Sequence, residues 1–192
     1  MERTSRIAPL PEPWSEEDEA SILRWRHPEN HHDPLLLTRV LQRHPKIARR
    51  LRDMGQSIYL SGQLDAHDRQ VAIMRICALV RCEYEWGGQA AFWGPRTGLS
   101  EADCDALVLS SADDVRWTER EVAVIAAVDE LEETGSWGED TWATLRTWHS
   151  EEAMLELLAA IGWYRTICTY CNTLALDLEP WMRRWPAGAF AT

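Results

Sequence analysis

The stretch from Arg69 to Gln89 constrains this chain more than any other. Its first half, Val71 to Val80, is apolar nearly all round, with Arg75 as the interruption. A helix that is hydrophobic on every side has no face to offer water, so other helices must surround it. Its second half carries a thiol, a carboxylate and an amide: Cys82, Glu85 and Gln89. If the helix continues through Trp93, offsets of three and seven place all three on one stripe. The element that must be buried therefore runs directly into the groups able to do chemistry.

A second segment of the same kind, Met154 to Ile161, lies in a long helix expected from Glu151 to about Leu176, with Ser150 as its cap. Between these two segments the punctuation is helical throughout. Ser15 precedes the acidic residues Glu16, Glu17 and Asp18 and opens a first helix that reaches about Trp25. His27–Pro34 reads as a loop, and Leu35–Gln42 as a short helix. Pro45 suits the first position of the next helix, whose apolar stripe is Ile47, Leu51, Met54 and Ile58 and whose end is Gly62. Asp65 and Asp68 are placed to cap the central helix. Gly94-Pro95 ends the helical run from Cys82 to Trp93. Ser100 with Asp103, and Thr118 with Glu121, have the spacing of capping boxes. Gly135 closes the helix after Thr118, and another runs from about Asp140 to His149.

No strand alternation, internal repeat or Gly-rich phosphate loop is present. The fold class is all-α, a single helical bundle of seven or eight helices. Its parts are an extended proline-rich arm over residues 1–14, a helical domain over 15–180, and a tryptophan-bearing tail over 181–192.

The 192 residues suffice for one full hydrophobic core, and 45% of them are hydrophobic. With 31 acidic against 20 basic residues the formal net charge is −11. Such a surface repels phosphate backbones and anionic lipid, which excludes nucleic acid and membrane as expected partners. No signal peptide and no spanning segment is read, so a cytoplasmic protein is expected. Five cysteines then read as free thiols and not as a disulfide framework. Eleven tryptophans against two phenylalanines supply rigid apolar area for a core, a pocket wall or a subunit interface.

Each reactive residue has a functional reading and a structural one. Cys82 is a reactive thiol or a small buried apolar residue. Glu85, between Tyr84 and Trp86, is an acid/base group with a raised pKa or a surface carboxylate. Cys168 and Cys171 have redox-pair spacing but lie well inside a helix, which reads as two core-facing thiols. Cys77 reads as core, and Cys104 as a helix-surface or packing thiol. His44 and His67 read as local hydrogen-bonding or capping groups. His31 and His32 diverge as neighbours, so no metal site is read. Tyr164 and Asn172 are polar groups on a mainly apolar helix, placed to line a pocket or link helices.

Taken together, these features resemble the carboxymuconolactone decarboxylase and alkylhydroperoxidase D-like superfamily. The resemblance runs from about Leu35 to Pro180. It rests on His44-Pro45 before a basic helix, Arg69 at the central helix start, and Cys82-Glu-Tyr-Glu-Trp86. Gly98-Leu99-Ser100, Gly162-Trp-Tyr164 and Asn172-Thr-Leu174 complete it. It implies the alkylhydroperoxidase D-like fold and a homo-oligomer (dimer, trimer or hexamer). The redox members of that superfamily use two cysteines, a histidine and a relay glutamate. Their positions fall here on Cys82, Glu85, Gln89 and Gln70 respectively. No disulfide can join Cys82 to Glu85, and neither amide titrates near neutral pH.

The resulting expectation is an enzyme acting on a small organic molecule by acid/base chemistry without redox cycling, of decarboxylase, isomerase or lyase type. Glu85 and Cys82 are its expected catalytic residues, and Gln70, Gln89, Tyr84, Trp86 and Tyr164 its expected substrate contacts. No metal or other cofactor is expected. The alternatives are a thiol-dependent hydroperoxide reductase using Cys82 and a non-catalytic oligomeric binding protein.

Overall fold

The computed structural model describes residues 5–190 apart from Ser61. Residues 1–4 of the expected arm and 191–192 of the expected tail lie outside the described residues. Helices α1 (Glu16–Leu23), α2 (Leu36–Leu41) and α3 (Pro45–Leu60) lead into α4 (Ala66–Leu79). Then come α5 (Glu83–Gly88), a π-helical turn (Gln89–Trp93) and a 3-10 turn (Pro95–Thr97). Helices α6 (Glu101–Leu109), α7 (Glu119–Thr134), α8 (Glu139–Trp148) and α9 (Glu151–Leu174) complete the bundle. No strand occurs among the described residues.

Helix α4 is the axis. Residues 68 to 78 are all buried, and α6, α7 and α9 pack around them. Of the two arginines in that run, Arg75 is held by a bidentate pair with Asp129 of α7 at 2.5 and 2.8 Å. Its remaining donors reach the carbonyls of Leu107 and Ser110. A buried cation is tolerated where its hydrogen-bonding capacity is filled in this way. Helix α9 supplies the second buried surface through Met154, Leu157, Ile161, Tyr164, Ile167, Cys168 and Cys171.

The expected caps form. Ser15 accepts from the Asp18 N–H, and Asp65 from that of His67. Ser100 and Thr118 make reciprocal capping boxes with Asp103 and Glu121, and Ser150 caps α9. Asp68 does not cap; it is buried against His149 and Arg120.

Three expectations are corrected. The central helix does not run on into Cys82. It stops at Leu79, and the Cys82 N–H returns to the Cys77 carbonyl at 2.9 Å while Arg81 takes φ 52°. This left-handed termination usually needs glycine, and its absence from position 81 hid the break. The Asn172 side chain donates to the exposed carbonyl of Val80 across the break, at 2.9 Å.

The second correction concerns α3, which buries Ala48, Arg52, Gly55 and Ile58 while Ile47 and Met54 stay exposed. Gly55 fixes that rotation: a Cβ there would stand 2.6 Å from the Trp163 ring. Third, Cys104 is buried, which of its two readings keeps the packing thiol and drops the helix-surface one. The segment after Pro180 folds back on α5. The Arg183 N–H donates to the Gly87 carbonyl, and Trp185 packs on Trp86 with ring centroids 4.9 Å apart.

Candidate active site

Because α4 ends early, Cys82 becomes the N-cap of α5. Glu85 and Gln89 then follow one turn apart, so the stripe read from the sequence forms from the start of a new helix. The three side chains end in different environments. Cys82 is wholly buried among thiols contributed by other segments. Cys168 and Cys171 of α9 hydrogen-bond to it, and Cys168 also lies 3.6 Å from Cys77. Hydrogen bonds from Cys168 and Cys171 hold Cys82 well below the usual thiol range. The backbone N–H groups of Glu85 and Tyr84 add to this, against the opposing effect of burial. The neighbouring thiols move the other way: Cys168 and Cys171 are raised well above the ordinary value. One thiolate is thus stabilised by two thiols that keep their protons.

Glu85 lies on the other side, at the floor of a cavity of about 320 Å³. Its pKa is raised to about 7, first by burial and then by the nearby Cys82 charge, partly offset by a hydrogen bond from Gln89. Gln89 Nε2 donates to Glu85 Oε1 and to the Tyr164 hydroxyl, each at 3.1 Å. Gln89 Oε1 accepts from Gln70 Nε2 at 3.1 Å. With both N–H groups occupied, Gln89 orients the carboxyl and is not free to bind a substrate oxygen. Gln70 is buried behind it, outside the cavity, and its own Oε1 has no partner among the described residues.

The Tyr164 hydroxyl makes a very short hydrogen bond with Tyr59. Burial raises both phenols, so they are neutral near pH 7. Tyr59 stacks on Trp93 at 4.8 Å. His27, from the loop between α1 and α2, packs on Phe92 and Trp93 and closes one side. Trp25, Trp163 and Trp181 continue the aromatic wall.

Of the residues singled out in the sequence, Glu85, Gln89, Tyr84 and Tyr164 line the cavity, while Cys82, Gln70 and Trp86 do not. Tyr84 directs its hydroxyl away, to Glu179 and the Leu37 N–H. Trp86 faces the tail and packs on Trp185. Tyr59 was not singled out. Its signal was an Ala48, Arg52, Gly55, Tyr59 periodicity on α3, obscured because arginine reads as a solvent-facing residue.

The fold and site together are an all-α bundle that encloses an aromatic cavity, with the Glu85 carboxyl in its wall and the Cys82 thiol cluster outside it. Residues 45–130 match the profile of the carboxymuconolactone decarboxylase family (CMD). That match agrees with the sequence resemblance over residues 45–130, somewhat under half of the chain. No curated protein matches the sequence.

Several solved structures share the fold. The AhpD core of a peroxidase-related protein from Ralstonia eutropha JMP134 superposes with a TM-score of 0.80 at 14% identity, over 94% of this chain and 95% of that one. The debrominase Bmp8, in a Cys-to-Ala form with 2,3,4-tribromopyrrole, gives 0.76 at 14% identity, over 91% and 92%. A protein of unknown function from Agrobacterium tumefaciens, provisionally assigned to AhpD-type antioxidant defence, gives 0.66 at 20% identity, over 72% and 94%. Among the described residues, no helix is long and apolar enough to cross a membrane.

Proposed function

We propose that this protein is an enzyme that moves a proton to or from a small, largely apolar organic molecule held in the cavity, with Glu85 as the proton carrier. The observation that carries this reading is the placement of Glu85 on the cavity floor with a pKa of about 7. A general acid or base works best when its pKa lies near the working pH. Gln89 fixes the orientation of the carboxyl, and Gln70 fixes Gln89. The neutral phenols of Tyr59 and Tyr164 border the same space and supply hydrogen-bonding groups for a carbonyl or carboxyl oxygen. Isomerisation, decarboxylation or a lyase step on an unsaturated or carbonyl compound requires proton transfer of this kind. The homo-oligomer implied by the resemblance is part of the proposal, and light scattering tests it.

The test is solvent deuterium exchange, followed by NMR, into a panel of small carbonyl compounds and unsaturated lactones. Wild-type protein is expected to exchange at least one of them. Glu85→Gln is expected to lose that exchange with its fold intact, and Cys82→Ser to retain it. Full exchange by Glu85→Gln would overturn the assignment.

A second reading is favoured by the thiol cluster. Cys82, held as a thiolate beside Cys168 and Cys171, is arranged to attack an electrophile such as a hydroperoxide. The thiolate would take the distal oxygen to give a sulfenic acid and an alcohol. Cys168 or Cys171 would then displace water to leave a disulfide, which an external dithiol must reduce. The likeness to a debrominase extends the same logic to a carbon–halogen bond. Peptide mapping after a mild hydroperoxide challenge separates the readings. The first expects Cys82 to stay reduced, since it is wholly buried and outside the cavity.

A further inference from the structure

A second cavity, of about 560 Å³, lies on the opposite side of Tyr59 from Glu85, between the start of α4 and the turn joining α8 to α9. Arg69, Arg120, His149, Asp65 and the loop at Gly62 line it. Its charged groups are unequally served. Asp68 receives Arg120 at 2.6 Å and His149 at 2.8 Å, both on Oδ2. Asp65 caps α4 by accepting the His67 N–H.

Arg69 is left over. It is 7% exposed, and its Nε has no hydrogen-bond partner among the described residues. Among the described residues it makes no ion pair. It packs on the face of the Tyr59 ring, 4.9 Å from the guanidinium carbon to the centroid. A buried guanidinium without a carboxylate is costly, and proteins accept that cost where a ligand supplies the missing charge. Arg75, six residues further along α4, shows the contrast: there a bidentate carboxylate is built in.

We propose that this cavity binds a small oxyanion, a carboxylate or a phosphate, as a bidentate partner of Arg69, with Arg120 contributing charge from the rim. The planar fork of arginine matches two oxygens of such a group. The site is separate from the Glu85 cavity and shares with it only the Tyr59 wall. Tyr59 is also stacked on Trp93, so ligand binding at Arg69 has an optical reporter behind the wall, and Trp148 is a second one in the cavity itself.

The experiment titrates the full chain with inorganic phosphate and, separately, with acetate. Ionic strength is held constant with chloride, and tryptophan fluorescence and thermal unfolding are both followed. A saturable change that weakens at least tenfold in Arg69→Gln supports the proposal. If that variant does not fold, Arg69→Lys keeps the charge without the fork and is expected to bind the preferred anion at least fivefold more weakly. Preference for acetate assigns the site to carboxylates, and preference for phosphate to phosphorylated ligands. A response to ionic strength alone, or equal affinity in wild type and the folded Arg69 variant, would overturn it.

Discussion

Two carboxylates on successive helices, Asp68 at the start of α4 and Glu85 in α5, meet burial with opposite outcomes. Burial by itself would raise Asp68, but hydrogen bonds from His149 and then Arg120 outweigh it, and the pKa is lowered. Burial also raises Glu85, no cation answers it, and the Cys82 charge pushes it further, to about 7. The first group is held as a fixed charge that ties α4 to α7 and to the turn before α9. The second is left close to its titration point in a cavity. A buried acid in this fold is structural where a cation completes it and chemically poised where only an amide does.

That contrast is broken most directly at Asp68. Asp68→Ala leaves His149 buried without its acceptor and releases Arg120. It is expected to cost on the order of 3 kcal/mol in a denaturant titration, the scale for removing one partner of a buried pair. A loss below ~1 kcal/mol would show that Asp68 contributes little to the fold. Glu85→Gln is the counterpart. It should leave folding intact and lower proton transfer ~100-fold or more. If Glu85→Gln unfolded the protein while Asp68→Ala did not, the two roles assigned here would be reversed.

How far these roles could be read from sequence follows from where each determinant lies along the chain. Ser100 with Asp103, Thr118 with Glu121, and Gly135 mark helix ends correctly because caps are made by residues within one turn. The Glu85–Gln89 contact is likewise an i, i+4 pair and was legible. The break before Cys82 was not, since Arg81 adopts a glycine-type conformation without glycine. Neither was the environment of Cys82, because the two thiols that lower it come from α9, about ninety residues away. The rotation of α3 was set by Trp163 filling the space over Gly55, a tertiary event that no stripe of apolar residues on α3 encodes. Long-range packing therefore decided which polar groups became reactive.

The pH dependence of stability sharpens the comparison. Asp68 has a lowered folded pKa, so its contribution is present above the unfolded value and is lost as pH falls through the folded one. Glu85 has a raised folded pKa, so its contribution is full below the unfolded value, near 4.5, and is lost as pH rises through about 7. Relative to wild type, Glu85→Gln should gain stability between pH 4.5 and 7, reaching about 3 kcal/mol. Denaturant midpoints across that range measure it. Parallel curves for the two proteins would mean that Glu85 is not perturbed in the folded state.

The smallest effect concerns the link between the thiol cluster and the cavity. Burial is the larger cause of the Glu85 shift, and the Cys82 charge the second. Cys82→Ser removes the thiolate while retaining a group of similar size. Glu85 should then titrate below about 7 but still above an ordinary glutamate. Carbon-13 NMR of the Glu85 carboxyl, or the acid limb of the exchange rate, reads this directly. An unchanged Glu85 in Cys82→Ser would mean that Cys82 is not charged near neutral pH. The four clustered cysteines, Cys77, Cys82, Cys168 and Cys171, would then be core packing, and the hydroperoxide reading would lose its nucleophile. A downward shift would show that the thiolate exists and that its charge helps set the proton affinity of the carboxyl.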